Sequence, residues 1–261
     1  MEKLFFKNTQ QYLDRLYEGP IVIDNFLPDG VLDKIEEAAF TCVDWDMECY
    51  KGTSNISNKL FKKEGIKNIY EQFQFNITGL NNVFGNKEAE SFENLRYYHF
   101  LSMPLTLALL KMNLWVDMMS ILRIKANFQT RASLDSKDKF NFPHNDLDYS
   151  PQGKEYWDPR MTTGIFYIND SDGDTCLFKN PPFASDENEI EDINEYINSL
   201  EIDLKISPKR GRLILFPAFK VHAGCHPIEH ASRMVINYNF FPLNTVGVNE
   251  EEILDDFIDR K

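Results

Sequence analysis

The sequence predicts a mainly β protein of the α+β class, a double-sheet jelly roll backed by helices in its N-terminal half. Three observations predict it. From Ile121 onward the apolar residues recur with a period of two. About eight short strands then follow one another at fairly even spacing, separated by turns rich in Gly, Pro and Asp. Much of the chain before residue 120 instead shows helical spacing. At 261 residues one domain is the default. It divides into mainly helical support (1–119), a jelly-roll core (120–241) with a helical insertion at 181–200, and a C-terminal tail helix (242–261).

The elements follow in order. Ile21-Val22-Ile23 is a β-branched run, and Pro28-Asp29-Gly30 ends it. Asp29 is a candidate N-cap for a helix in which Leu32, Ile35 and Ala39 share one face. Phe73, Phe75 and Ile77 alternate with polar residues, as a half-buried strand does. Residues 88–119 read as one or two helices, broken near Pro104.

In the next strand Arg123, Lys125, Asn127 and Gln129 alternate with Ile124, Ala126 and Phe128. Its polar face is either wet or the lining of a polar cavity. Thr163–Ile168 and Thr175–Phe178 are strands, and the turn residues Asn169–Asp174 between them predict a hairpin. In Pro181–Leu200, Ile190, Ile193, Ile197 and Leu200 lie on one helical face, either as a lid or as a capped edge. Strands at 202–206, 212–216, 221–226 and 232–241 follow, then an acidic amphipathic helix over 250–258.

Composition excludes some functions. The net charge of −13 repels phosphate backbones, so general nucleic-acid binding is not expected. Arg123, Lys125, Arg131, Lys137 and Lys139 are the only approach to a basic groove. The longest apolar stretch, 100–122, contains Pro104, Lys111 and Asp117, which favours a buried helix over a membrane span. The four cysteines form no Cys-x-x-Cys pair and no secretory signal opens the chain, so reduced thiols in a cytoplasmic protein are expected.

The chemistry centres on Phe142-Pro143-His144-Asn145-Asp146. In a strand, residues i and i+2 point to one face about 7 Å apart, so His144 and Asp146 can converge on one metal ion. His222 is the favoured third ligand, because it lies beside a β segment, whereas His226 starts a turn and His230 sits in a polar loop. Asp148 competes with Asp146 but falls past the strand. Two His and one carboxylate form the facial set of non-haem Fe(II) sites that leave three positions open. Arg233 opens a strand with no acidic neighbour in sequence. An Arg turned into a barrel calls for an anionic partner, and a ligand carboxylate would serve; at a strand end it can equally be a surface residue.

Taken together these residues resemble a family. The order is His-x-Asp, Phe166-Tyr167-Ile168-Asn169 with an acidic Gly turn, Gly211-Arg212-Leu213-Ile214-Leu215-Phe216-Pro217, His222, and Arg233 eleven residues later. It is similar to the Fe(II)/2-oxoglutarate-dependent oxygenases, most of all their prolyl 4-hydroxylase-like branch, across roughly 120–241. Ile21-Val22-Ile23-Asp24-Asn25-Phe26-Leu27-Pro28 resembles that branch's opening strand and helix start. Two departures concern the branch and not the ligands: Asp172-Gly173-Asp174-Thr175 lacks the usual Gly-Gly, and Arg233-Met234-Val235 lacks a Ser two residues after Arg.

The resemblance implies a cupin-like double-stranded β-helix. It implies Fe(II) on His144, Asp146 and His222, with 2-oxoglutarate and O₂ as co-substrates. Arg233 and Tyr167 would meet the distal carboxylate of 2-oxoglutarate, and Asn127 falls roughly at a further co-substrate position. The expected reaction hydroxylates a small-molecule, peptide or protein substrate, with a prolyl or other amino-acid residue among the candidates, and releases succinate and CO₂. The alternative is a non-catalytic metal-binding jelly roll, acting as a binding or sensor module. Neither substrate nor oligomeric state is legible.

Overall fold

The computed structural model of the protein describes residues 4–41, 46–49, 71–78, 95–117, 120–134, 140–141, 143–146, 160–179 and 199–244. The elements are α1 (Thr9–Glu18), β1 (Ile21–Ile23), α2 (Asp29–Thr41), β2 (Asp46–Cys49), β3 (Glu71–Thr78), α3 (Leu95–Lys111), β4 (Leu114–Trp115), β5 (Ile121–Thr130), β6 (Thr162–Tyr167), β7 (Thr175–Phe178), β8 (Ile202–Ile206), β9 (Leu213–Pro217), β10 (His222–Gly224), β11 (Ser232–Phe240) and β12 (Leu243–Asn244). Seven strands form one sheet in the order β1-β9-β6-β11-β5-β3-β2, and β10-β7-β8 form a smaller one. Both are antiparallel in every pairing. The fold is a double-stranded β-helix backed by helices.

Alternation along the central strands explains this layering. Ile124 and Ala126 of β5, Phe166 of β6, Leu213 and Leu215 of β9, and Met234, Ile236, Tyr238 and Phe240 of β11 are buried in one cluster with Leu13, Leu16, Leu32, Ile35, Leu101, Leu105 and Leu109 of the helices. On the opposite face Ile165, Tyr167, Ile214, Phe216 and Val235 meet Leu177 and Ile206 of the small sheet. Burying an aliphatic side chain fully is worth about 1.5–3 kcal/mol, so both clusters bind sheet to helix and sheet to sheet.

The join between α2 and β9 is tight. Gly211 has φ +77°, and a Cβ there would lie 2.9 Å from a Leu32 methyl. Arg212, the next residue, donates to both carboxylate oxygens of Asp24, each at 2.8 Å.

The hairpin and the break at Pro104 are corrected. The strands on either side of Asn169–Asp174 form no hairpin: β6 pairs with β11 and β9, whereas β7 pairs with β10 and β8. The connection crosses between sheets, and its side chains bind the segment before β11. Asp172 accepts from the backbone N–H groups of Ile228, Glu229 and His230, and Asn169 accepts from that of Met234. Pro104 does not break α3, which runs through it. A proline inside a helix costs about 3 kcal/mol or more, and the burial of Leu101, Leu105, Ala108 and Leu109 offsets it.

The structure also decides between the two readings of the polar face of β5. Lys125, Asn127 and Gln129 are only 7%, 6% and 2% exposed, so this face lines the interior instead of being wet. It also turns Arg123 and Lys125 away from any basic groove. The N-terminal part, expected to be mainly helical, also supplies β1, β2 and β3 to the large sheet. Asp29 is the first residue of α2, and the Pro28 carbonyl accepts from the N–H groups of Val31 and Leu32. The segments 180–198 and 250–258, read as insertion and tail helix, lie outside the described residues.

Candidate metal centre

His144 and His222 form an antiparallel bridge, with backbone N–H···O bonds of 3.0 and 2.8 Å in the two directions. The Asp146 N–H donates to the Ala218 carbonyl at 3.1 Å, which fixes the two-residue step from His144. The result is a cluster: one ligand atom from each of His144, Asp146 and His222 lies within 4.8 Å of the others. The two imidazole centroids are 4.5 Å apart. Among the described residues this is the one group of three such side chains close enough to hold a metal ion. His230 stands apart, bonded to Asp172 on the surface.

His222 is aimed by its neighbours. Its Nδ1 lies 3.0 Å from the Lys220 carbonyl, which acts only as an acceptor, so Nδ1 carries the hydrogen and Nε2 keeps its lone pair. Nε2 is 3.8 Å from Asp146 Oδ2. Burial lowers the pKa of this imidazole, which favours the neutral ligand form. For Asp146 burial alone would raise the pKa, but Arg123, His222 and His144 outweigh it and hold the carboxyl far below its usual range. Arg123 Nη2 donates to Oδ1 at 2.7 Å, and Thr163 Oγ donates to Oδ2 at 2.8 Å.

Along β11 the inward residues are Arg233, Val235, Asn237 and Asn239, facing Gln129, Asn127, Lys125 and Arg123 of β5. Arg233 lies at the far end of this row from the cluster and is 4% exposed. Its N–H groups donate to the Gly173 carbonyl (2.7 Å), Gln129 Oε1 (3.1 Å) and Thr175 Oγ (2.9 Å). None of these acceptors is a carboxylate. A buried cation with neutral partners favours an anion beside it. Tyr167 also donates to Thr175 Oγ, at 2.7 Å. That hydroxyl, accepting twice, has its own hydrogen left to give.

Between the two ends Val235, with Ile165 and Leu177 packed beside it, adds apolar surface to the polar Asn237, Asn127 and Lys125. Asn127 lies on this row, and its Oδ1 is buried without a hydrogen-bond partner, as is that of Asn237. The sequence reading named His144, Asp146, His222, Arg233, Tyr167 and Asn127, and all six lie on this interior side. It did not name Arg123, Thr163, Asn239, Gln129 or Thr175 as site residues. The polar alternation of β5 was the available signal for Arg123 and Gln129.

Residues 131–241 match the 2OG-Fe(II) oxygenase superfamily. No curated protein matches the chain in sequence. Among solved structures, the non-heme alpha ketoglutarate dependent carbocyclase SnoK from nogalamycin biosynthesis is similar over 95% of this chain and 93% of its own, with 10% identity and a TM-score of 0.51. A 2OG-Fe(II) oxygenase family oxidoreductase from Burkholderia pseudomallei covers 95% and 99%, with 14% identity and a TM-score of 0.49. A prolyl-4-hydroxylase from Pseudomonas putida covers 89% and 98%, with 15% identity and a TM-score of 0.44. The SnoK likeness concerns the fold.

Proposed function

We propose that this chain, which belongs to the 2OG-Fe(II) oxygenase superfamily through residues 131–241, hydroxylates a C–H bond of an amino-acid or peptidyl substrate at an Fe(II) held by His144, Asp146 and His222. As an Fe(II)- and 2-oxoglutarate-dependent oxygenase it uses O₂ and releases succinate and CO₂. The observation that carries the site assignment is the His–Asp–His cluster beside one end of the polar row of β5 and β11, with the buried Arg233 at the other end.

The donor set fits the metal, since two imidazoles and a carboxylate suit Fe(II) and leave three positions open. Bound there, Fe(II) supplies the O₂-activating redox chemistry that the side chains lack. The row fits the co-substrate as well. 2-Oxoglutarate carries a carboxylate at each end and two methylenes between, and the row offers a cation at one end, the apolar Val235 beside the polar Asn127, Asn237 and Lys125, and the ligand cluster at the other end. Arg233 and Thr175 donate to the distal carboxylate. Tyr167 orients Thr175 through its hydroxyl. Asn127 turns its amide toward the co-substrate from β5.

Support for an amino-acid or peptidyl substrate, a prolyl residue among them, comes from the order of motifs along the chain. Four cysteines with no Cys-x-x-Cys pair support a reducing setting such as the cytoplasm. The test of the co-substrate pocket is Arg233→Gln. One lost charge-assisted bond is worth about 1.5–3 kcal/mol, so the KM for 2-oxoglutarate should rise by about 10- to 100-fold. An unchanged KM would remove Arg233 from the pocket. Free proline and proline-containing peptides, examined by mass spectrometry for one added oxygen, test the substrate class.

A further inference from the structure

Asp146 enters the cluster with both oxygens already engaged. Oδ2, 3.8 Å from His222 Nε2, accepts from Thr163 at 2.8 Å. Oδ1 accepts from Arg123 Nη2 at 2.7 Å. Arg123 is itself aimed, because its Nε donates to Asn239 Oδ1 at 2.8 Å. Asn239 Nδ2 in turn donates to Thr163 Oγ at 3.1 Å. The four side chains close a ring. Its frame is three adjacent strands at one level, where Asn239 of β11 stands opposite Arg123 of β5 and opposite Thr163 of β6.

Stability does not account for such a ring. Desolvating two charges largely cancels their attraction, so a buried ion pair is weak support for a fold. Ligation mode does. A carboxylate can bind a metal through one oxygen or both. With His144, His222 and one oxygen of Asp146, an octahedral ion keeps three positions, two for a chelating 2-oxo acid and one for O₂. A second Asp146 oxygen would take the last.

We propose that Arg123 is a positioning residue that confines Asp146 to one-oxygen ligation and so keeps the O₂ position open. Oδ1 is tied to the guanidinium, and Oδ2 is the oxygen turned toward His222. Asn239 sets the angle of Arg123, and Thr163 fixes the rotation of the carboxylate. This inference rests on the metal assignment proposed above.

The test uses nitric oxide as a stand-in for O₂. It is titrated anaerobically into full-length protein loaded with Fe(II) and 2-oxoglutarate, and followed by electron paramagnetic resonance. Fe(II) and 2-oxoglutarate binding are measured separately by calorimetry. The wild type should bind nitric oxide. Arg123→Met should still bind Fe(II) and 2-oxoglutarate but bind nitric oxide at least about tenfold more weakly. Arg123→Lys, which returns one N–H donor to Oδ1, should restore it. Asn239→Ala, which unaims Arg123 and keeps its charge, should show a partial loss and serves if Arg123→Met does not fold.

Wild-type nitric oxide affinity in Arg123→Met, or in Asn239→Ala should Arg123→Met not fold, would overturn the proposal. So would loss of Fe(II) from Arg123→Met that Arg123→Lys fails to restore, because Arg123 would then support metal binding and not ligation mode. A wild type that binds neither Fe(II) nor 2-oxoglutarate would instead overturn the metal assignment beneath it.

Discussion

At the scale of single residues, Thr175 shows how much one hydroxyl can carry. It accepts from Tyr167 and Arg233, and its own hydrogen points the pocket toward an anion. Thr175→Val keeps the shape and removes the hydroxyl. It should raise the KM for 2-oxoglutarate by about 5- to 10-fold, the worth of a neutral hydrogen bond, with metal affinity unchanged. Steady-state kinetics over a 2-oxoglutarate series checks this. His144, Asp146 and Arg233 were legible because their chemistry is written locally, in a His-x-Asp step and in an Arg with no acidic neighbour. Thr163 and Asn239 were not, because each acts across a strand pair. Register is a tertiary fact, and a serviceable Thr or Asn in a strand looks like any other.

At the scale of elements, the connection from β6 to β7 holds Arg233 in place. Gly173 accepts from Arg233 through its carbonyl, and a Cβ there would lie 2.6 Å from the Cys225 carbonyl oxygen and 2.8 Å from Arg233 Cδ. Gly173→Ala should therefore destabilise the fold by about 1–3 kcal/mol and weaken 2-oxoglutarate binding together. Chemical denaturation and calorimetry read the two effects.

Asp172 pins the same connection. Burial alone would raise its pKa, but the backbone N–H groups of Glu229, His230 and Ile228 outweigh that and lower it. A depressed carboxyl stabilises the fold above its unfolded value of about 3.9, and that contribution is lost as pH falls through the lower folded value. Asp172→Asn should lower the melting temperature at neutral pH and narrow its gap to wild type in acid, as melts at stepped pH would reveal. An equal gap at every pH would contradict this role. The turn composition of Asn169–Asp174 was legible, but not its destination. The same Asn and Asp residues close a hairpin or bind a distant segment equally well. The run through Pro104 was hidden for a related reason, since the apolar contacts that offset a proline come from other elements.

At the scale of the whole molecule, the jelly roll was legible because period-two alternation sorts strands into two-faced layers whatever their order. The strand order was not, since it depends on which sheet each connection reaches. The site joins both sheets: His222 comes from the small sheet, Arg233 and Tyr167 from the large one, His144 bridges to β10, and Asp146 bonds to Arg123 and Thr163 of the large sheet. Ligands that bind only this assembled site should stabilise the fold. Mn(II) with 2-oxoglutarate at about 100 times Kd should add about 2.7 kcal/mol, or roughly 5–10 °C in Tm. A chelator should reverse the shift. The most direct measurement is succinate formation by anaerobically purified protein reconstituted with Fe(II) and 2-oxoglutarate and then exposed to O₂, beside Asp146→Ala and Arg233→Ala. Slow succinate release by the wild type, abolished in both folded variants, is the expected result. Equal succinate from Asp146→Ala and the wild type, or a wild type that binds metal but neither binds nor consumes 2-oxoglutarate, would contradict it.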